Sequence, residues 1–519
     1  MRPRRGDRAY CAALALVATA GFASASDARA LTDAELRGRA LYVEGRGAHG
    51  RDVVALLGEA RTEVPARSLP CANCHGFDGR GKPEGGVIPS DVTWEALTKP
   101  YGARLPSGRE RGPYDERALR RAVTQGLDPA GNKLSVVMPL YQLAQDEAAD
   151  LDAYLKRLAT LRDPGVDDAR VRIAIAVRGV EDEARAALLA AVFADVNAEG
   201  GVHGRKLELL TLRISAEKPF ATALAESDAF ALASTTVDPL DAELQRAIEA
   251  TGTPVVGAAP ADPTLDLAST RYVFATAPGC RAQALALAAH ALTSEKDEGA
   301  TFAVLVAGDA GARDLGAELA RRLARPGRSA PTLSATAASA FDAAAAAKEL
   351  APARAVIVLA PPKLAAAWIG AAKELRLAPR VLVPGPGFGP ELRAAARGFA
   401  VTLEVALPRA PDAKDAPGAR AFVELAARHS IALDAHVPDQ VSAWIAARVL
   451  LEGLRRAGRD LGREKLVQSL EGLYEFDAGL GPRITFGPLR RTGAQGAYVL
   501  RLDPATGAPV ATSAWIGVE

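Results

Sequence analysis

Two hydrophobic periodicities divide the chain. Between residues 32 and 161, apolar positions recur at helical spacing near both ends, while the middle is rich in Gly and Pro. Thr32 followed by Glu35 forms a capping box, which predicts a helix start running through Gly38 and Leu41 to about Tyr42. At the far end, Leu151, Tyr154, Leu155 and Leu158 share one face of a helix predicted over 146–161. Asp163-Pro164-Gly165 breaks the pattern. Beyond it, short β-branched runs alternate with helical stretches. Strands are predicted at 171–177, 207–212, 229–233, 254–256, 302–306, 355–359 and 380–383, with a helix at 181–197. Such alternation builds right-handed βαβ units and mainly parallel sheets, and the region is long enough for two α/β lobes. The Ala-rich stretch 335–347 reads as a helix lying on a sheet. Residues 406–418, with three prolines and mixed charge, read as a surface loop or a crossover between lobes.

Composition narrows the class. A chain of 519 residues exceeds one ordinary core, so two or three domains are expected. The formal net charge of +1, with no basic stretch interleaved with aromatics, excludes a nucleic-acid partner. Arg2, Arg4, Arg5 and Arg8 precede an apolar run over 12–22, followed by Ala23-Ser24-Ala25 and Ala28-Arg29-Ala30. This reads as a secretory signal peptide over 1–30 and predicts a periplasmic protein. No other segment is long and apolar enough to span a bilayer.

Cys71-Ala72-Asn73-Cys74-His75 carries the strongest chemical signal. Two thiols at this spacing meet the two vinyl groups of a haem, and the adjacent His reaches the iron from one face. A zinc site needs two more ligands, and the only other Cys beyond the signal segment is Cys280, in the α/β region. A redox dithiol of thioredoxin type belongs in a βαβ unit, which is absent around the motif. One covalent haem c is therefore expected, bound by Cys71 and Cys74 with His75 as an axial ligand. Met138 is the only Met besides the initiator and is the favoured sixth ligand, since a thioether suits an electron-transfer iron; His49 is the competing ligand.

Residues 31–162 resemble a class I cytochrome c: a helix, C-x-x-C-H, a Met-Pro and a last helix with Tyr154-Leu155. The resemblance implies an all-α domain whose first and last helices cross at Gly38 against Tyr154. It also implies a Pro carbonyl, Pro89 or Pro83, accepting from the His75 ring, which would orient the ligand. Residues 45–69 are an insertion relative to that pattern.

Residues 171–519, after a linker over 163–170, resemble the branched-chain amino-acid type of periplasmic binding protein. The markers are the opening strand, the turn 197–205 (Asn-Ala-Glu-Gly-Gly-Val-His-Gly-Arg), the crossover 274–283, Trp444-Ile445-Ala446 in a late helix, and Gly481-Pro482-Arg483-Ile484-Thr485-Phe486. The resemblance implies two Rossmann-like lobes with a hinge, lobe I at about 171–284 and 405–486, lobe II at about 285–404 and 487–519. Ligand would meet loops at the carboxyl ends of strands. The candidates are Ser234, Thr235, Ala258 and Ala259 in lobe I, with Asp309 and Phe388 in lobe II. The acidic residue that amino-acid binders of this family place in the second-lobe loop is missing from 384–390, and Leu212-Arg213 stands where the family has an acidic pair. These departures point away from an amino acid to a smaller, less basic ligand, or to none. His203 and Arg205 in the turn read as structural.

The expected function is an electron-carrying periplasmic cytochrome, exchanging electrons with a redox partner protein, whose second domain docks that partner or captures a small solute. The alternatives are a solute receptor for an ABC importer permease with an accessory haem, or a redox-linked ligand sensor. No P-loop, zincin or Ser/His nucleophile signature points to an enzyme.

Overall fold

The computed structural model describes residues 31–518 apart from 82–85, 106–107, 263–264, 268–269, 295–299, 327–328, 398–401, 410–415, 434–435, 504–505 and 507–508. Segment 1–30, expected to be a signal peptide, and Pro83 lie outside the described residues.

The first unit is built on a helix crossing. Helix α1 (Asp33–Glu44) starts at the capping box, with Glu35 N–H donating to Thr32 Oγ1 and Thr32 N–H to Glu35 Oε2. It crosses the last helix of the unit, Gln145–Leu158. A Cβ on Gly38 would lie 2.0 Å from the Asp150 carbonyl oxygen, so only glycine permits this approach. One turn on, the Tyr42 and Tyr154 rings pack with centroids 5.5 Å apart. The expectation of an all-α unit is corrected. Strands β1 (Val54–Leu57) and β2 (Thr62–Pro65) form a hairpin from the 45–69 insertion. Helix α2 (Cys71–His75) and helix α3 (Glu116–Gln125) follow. Strand β3 (Leu140–Tyr141) then pairs with β1, ahead of α4, the Gln145–Leu158 helix. Ala55 and Tyr141 face the helix core from this small sheet.

Lobe I holds a five-stranded parallel sheet. Its strands are β4 (Arg170–Val177), β5 (Lys206–Arg213), β6 (Ala231–Ala233), β7 (Val255–Val256) and β8 (Val273–Phe274), in the order β8-β7-β6-β4-β5. Helix α5 (Val180–Ala198) follows β4. Strand β4 is almost wholly apolar and buried because helices cover both of its faces.

Lobe II repeats the plan. Helix α6 (Cys280–Ser294) leads to β9 (Phe302–Ala307), α7 (Ala310–Leu323), β10 (Thr332–Thr336), α8 (Ala343–Glu349), β11 (Ala355–Leu359), α9 (Pro362–Glu374), β12 (Arg380–Pro384) and β13 (Thr402–Leu407). The order is β10-β9-β11-β12-β13, all parallel, then antiparallel β14 (Gly496–Leu502) and β15 (Pro509–Thr512). The Ala-rich 335–347 stretch is thus the end of a strand, a 3-10 turn and the start of α8, which Asp342 caps by accepting from Ala344 and Ala345 N–H. Strand β13 pairs along its length with β12 and β14, so lobe II extends past the expected boundary at 404 to Leu407.

After β13 the chain returns to lobe I as α10 (Ala419–Arg428), α11 (Val437–Ala457) and α12 (Arg463–Glu471). Helices α11 and α5 pack together beside the lobe I sheet. The hinge is a bridge between Ala275 and Thr492, with Ala275 N–H donating to Arg491 O and Gly493 N–H to Ala275 O.

Segment 163–170 is packed onto lobe I and is no free tether. Asp163 Oδ2 accepts from Arg463 N–H at 2.6 Å, Gly165 O accepts from Arg172 N–H, and a Cβ on Gly165 would meet Phe230 N at 2.4 Å. The first unit docks on the same lobe. The Phe77 ring, two residues beyond His75, meets Tyr272 edge-on at 6.2 Å and lies against Gly252. Arg80 approaches Asp460 at 3.5 Å.

Candidate functional site

Pro70 precedes α2, where its missing N–H and fixed φ suit a helix entry, and the five residues of α2 put Cys71, Cys74 and His75 on little more than one turn. Cys74 is exposed, whereas Cys71 and His75 are partly buried. His75 Nδ1 lies 2.9 Å from the carbonyl of Ser90. A carbonyl only accepts, so Nδ1 carries the proton and the Nε2 lone pair is left for a metal. The expected Pro89 carbonyl is replaced in this role by that of Ser90. The Pro89 carbonyl instead closes over Gly81, where a Cβ would lie 2.3 Å from its oxygen. Burial lowers the His75 pKa, opposed by the bond to Ser90, so the ring is a neutral donor at neutral pH.

Burial pushes the Cys71 thiol up to about 12, against a hydrogen bond with Tyr141. A thiol held protonated is a poor redox nucleophile, so of the pair only the exposed Cys74 is open to such attack. Among the described residues no group of three His, Cys, Asp or Glu is placed to hold a metal ion. Met138 packs, half-buried, on the same core cluster as Cys71, Phe77 and Trp94. His49 is exposed in the turn Ala48–Gly50, at a positive φ of 54°. The residues present fit a covalently held haem: two thiols and an oriented imidazole on one turn, beside an apolar cluster that includes the thioether.

The ligand candidates of the second unit lie at strand ends, but most of their polar groups are spent inside the fold. Thr235 is fully buried; its hydroxyl accepts from Ala176 N–H at 3.2 Å and donates to Ala233 O. The Ser234 amide donates to Val256 O, the Ala258 amide to Phe274 O and the Ala259 amide to Thr235 O. These amides and the Thr235 hydroxyl tie neighbouring strand ends together. Asp309 caps α7 by accepting from Ala312 N–H at 2.8 Å. Phe388 packs on the lobe II core, with the Arg393 guanidinium 5.0 Å above its ring. His203 and Arg205 clamp backbone carbonyls, His203 Nε2 that of Arg455 and Arg205 those of Asp167 and Arg459.

The groups that do face the strand ends of lobe I are arginines. Arg178 directly follows β4 at the point where the strand order reverses, the usual binding crevice of such sheets. Its guanidinium donates to Thr236 O at 3.1 Å and lies 5.2 Å over the Phe220 ring. Arg185 donates to Thr236 Oγ1 at 2.9 Å, pairs with Asp182, and reaches Asp439 at 3.5 Å. Arg409, two residues beyond β13, crosses from lobe II to the first turns of α11, donating to Pro438 O at 3.1 Å and Ser442 Oγ at 2.5 Å. The signal that could have found Arg178 was in the sequence: a cation immediately after a buried strand. Arg409 carried no such signal. Two recesses, of about 330 Å³ on the first unit and about 210 Å³ beside the hinge, are lined by none of the six ligand candidates.

A sequence family described as periplasmic binding protein matches residues 180–508, and the chain belongs to that family. Among solved structures, the chain is similar to a protein titled an ABC transporter permease from the Pseudomonas fluorescens group, with 16% identity over 68% of this chain and 94% of that one and a TM-score of 0.50. It is also similar to a branched-chain amino acid ABC transporter from Thermus thermophilus with bound valine (20% identity, 67% and 96% covered, TM-score 0.48). A fatty acid ABC transporter substrate-binding protein from Thermomonospora curvata is a third (19%, 67% and 93%, TM-score 0.49). No curated protein matches the chain. Membership of this family implies a periplasmic or extracellular location, and no helix among the described residues is long and apolar enough to cross a membrane.

Proposed function

We propose that the protein is a periplasmic solute receptor of an ABC importer, carrying a c-type haem unit docked on its first lobe. The observation that carries the receptor reading is the pair of parallel-sheet lobes joined through a hinge at Ala275 and Thr492, in a chain that belongs to the periplasmic binding protein family. A small solute would enter between the carboxyl ends of the two sheets, and an importer permease would receive it. This ordering reverses the sequence-based preference for an electron carrier, because family membership bears on the larger unit and the haem motif only on the smaller one.

The haem reading is supported by the oriented imidazole of His75 beside Cys71 and Cys74. A haem held there would supply a one-electron couple, with Met138 as the proposed second axial ligand. The chain's own contribution is to fix the His75 tautomer, to keep the ring neutral, and to pack an apolar cluster beside the motif. With Cys71→Ala and Cys74→Ala together, haem staining after denaturing electrophoresis should vanish; a stained band that survives contradicts the assignment. Met138→Ala should abolish the Met-to-ferric charge-transfer band, and an unchanged spectrum would exclude Met138 as the ligand.

A further inference from the structure

We propose that the first unit is a regulatory domain of the receptor: the loop that follows its Cys71–His75 turn sets the stiffness of the hinge through helix α12. The proposal rests on the receptor reading above, and its test needs no solute, so the two can fail separately.

Helix α12, nine residues long, gathers three parts of the molecule. Arg463 opens it and ties in the linker: its N–H donates to Asp163 Oδ2, and its guanidinium donates to the carbonyls of Phe230, Thr251 and Ala229. Glu464, only 3% exposed, lies beneath the motif loop, where a Cβ on Gly76 would come 3.9 Å from its Cγ. Phe77, next in that loop, packs on the core of the first unit and on that of lobe I alike. Glu471 follows Glu464 by seven residues, about two helical turns, and so lies on the same face. It accepts from Arg271 at 3.4 Å and from Arg491 at 2.7 Å.

Both sides of the hinge hang from this helix. On one side, Tyr272 meets the Phe77 ring and donates its hydroxyl to Glu464 Oε1 at 2.8 Å. Arg271 donates to Glu464 Oε2 at 2.7 Å, and Ala275 of the hinge bridge stands a few residues further along the same segment. On the other side, Arg491 bonds to Glu471, donates to Thr270 O at 3.1 Å and lies 4.7 Å over the Phe274 ring, while its own carbonyl accepts from Ala275 N–H. The two guanidiniums and two carboxylates of this set are mostly buried, so each charge is satisfied only while the others keep their places. A shift of the motif loop that disturbs Tyr272 or Glu464 therefore loosens ion pairs at the hinge. The second hinge segment, 488–494, has no hydrogen bond, ion pair or ring contact to the first unit among the described residues, so an effect of the loop there travels through lobe I.

The test is hydrogen exchange, read by mass spectrometry, on the full chain carrying Phe77→Ala, Glu471→Gln, or both. Peptide 488–494 reports on the hinge, and peptide 173–177, in the buried strand β4, reports on lobe I as a whole. Phe77→Ala should speed exchange at 488–494 by about 3-fold to 30-fold, the range expected for coupling through a packed network, and leave 173–177 at the wild-type rate. Glu471→Gln should speed exchange at 488–494 from the other end of the helix. The double variant should exceed the faster single variant by less than about 2-fold, because both substitutions break one path. Wild-type exchange at 488–494 in either single variant, equal acceleration of both peptides in Phe77→Ala, or effects that multiply in the double variant overturns the proposal. Phe77→Leu, which keeps an apolar contact and removes the ring, takes the place of Phe77→Ala if that variant does not fold.

Discussion

Replacing Gly38 by alanine tests the helix crossing that organises the first unit. The new methyl carbon would lie 2.0 Å from the Asp150 carbonyl oxygen and 2.8 Å from Tyr154 Cβ, where ordinary contact begins at 3.4 Å. Alanine gains about 1 kcal/mol of helix propensity over glycine. Against this, the obstacle is backbone and cannot rotate aside, and Asp150 is held by a two-point ion pair to Arg37, at 2.8 and 2.9 Å. Overpacking of a core contact costs about 1–3 kcal/mol, and a fixed carbonyl places this case at the upper end. The net loss is about 2 kcal/mol, or roughly a 30-fold rise in local opening. Hydrogen exchange of peptides spanning α1 and α4 reads that opening directly, without assuming that the whole chain unfolds in one step. Exchange as slow as wild type, or slower, would refute the crossing as the element that holds this unit together.

Two further predictions concern groups outside the cleft. Burial raises the Asp152 carboxyl to about 6, with Glu116 adding to the shift and Lys156 and Arg120 opposing it. The folded state therefore holds this proton more tightly than the unfolded chain, and stability is lost as pH rises from about 4 through about 6. Asp152→Asn should raise the melting temperature at pH 7.5 and leave it nearly unchanged at pH 4; equal shifts at both values would contradict the linkage. Phe77→Ala removes the ring that meets Tyr272 and should cost about 2 kcal/mol of docking, half the usual loss for a fully buried Phe. Limited proteolysis at residues 160–170 should then be faster, and an unchanged cleavage rate would mean that the contact does not hold the units together.

Much of the α/β scaffold was legible because its central strands are buried on both faces and read as unbroken apolar runs. The strands missed have a physical reason in each case. Thr402–Leu407 carries Glu404 inside a buried strand, neutralised by Arg380 at 2.7 Å with His290 nearby, and the acid hides the run. Thr332–Thr336 is mostly polar, and the alanines that follow it imitate a helix. Antiparallel β14 and β15 extend a parallel sheet, which local periodicity does not announce. The single turn that carries Cys71, Cys74 and His75 lies within five contiguous residues, and the haem proposed for it rests on that spacing. The cleft was not, because its chemistry depends on which groups the fold has already spent. The Thr235 hydroxyl is bonded within the fold, and Arg409, in the stretch read as a loop or a crossover between lobes, bonds to Pro438 and Ser442 at the start of α11. The docking of Phe77 on Tyr272 joins positions almost two hundred residues apart and left no local mark.

The central claim, that the second unit is a working receptor, is tested most directly by thermal unfolding of the full chain against a panel of small anions, amino acids, alcohols and aromatic acids, under oxidising and reducing conditions. A solute that binds only the folded form at about 100 times its Kd stabilises it by about 2.7 kcal/mol. The account predicts a concentration-dependent rise in melting temperature with at least one solute of the panel. A flat response to every solute under both conditions would contradict it.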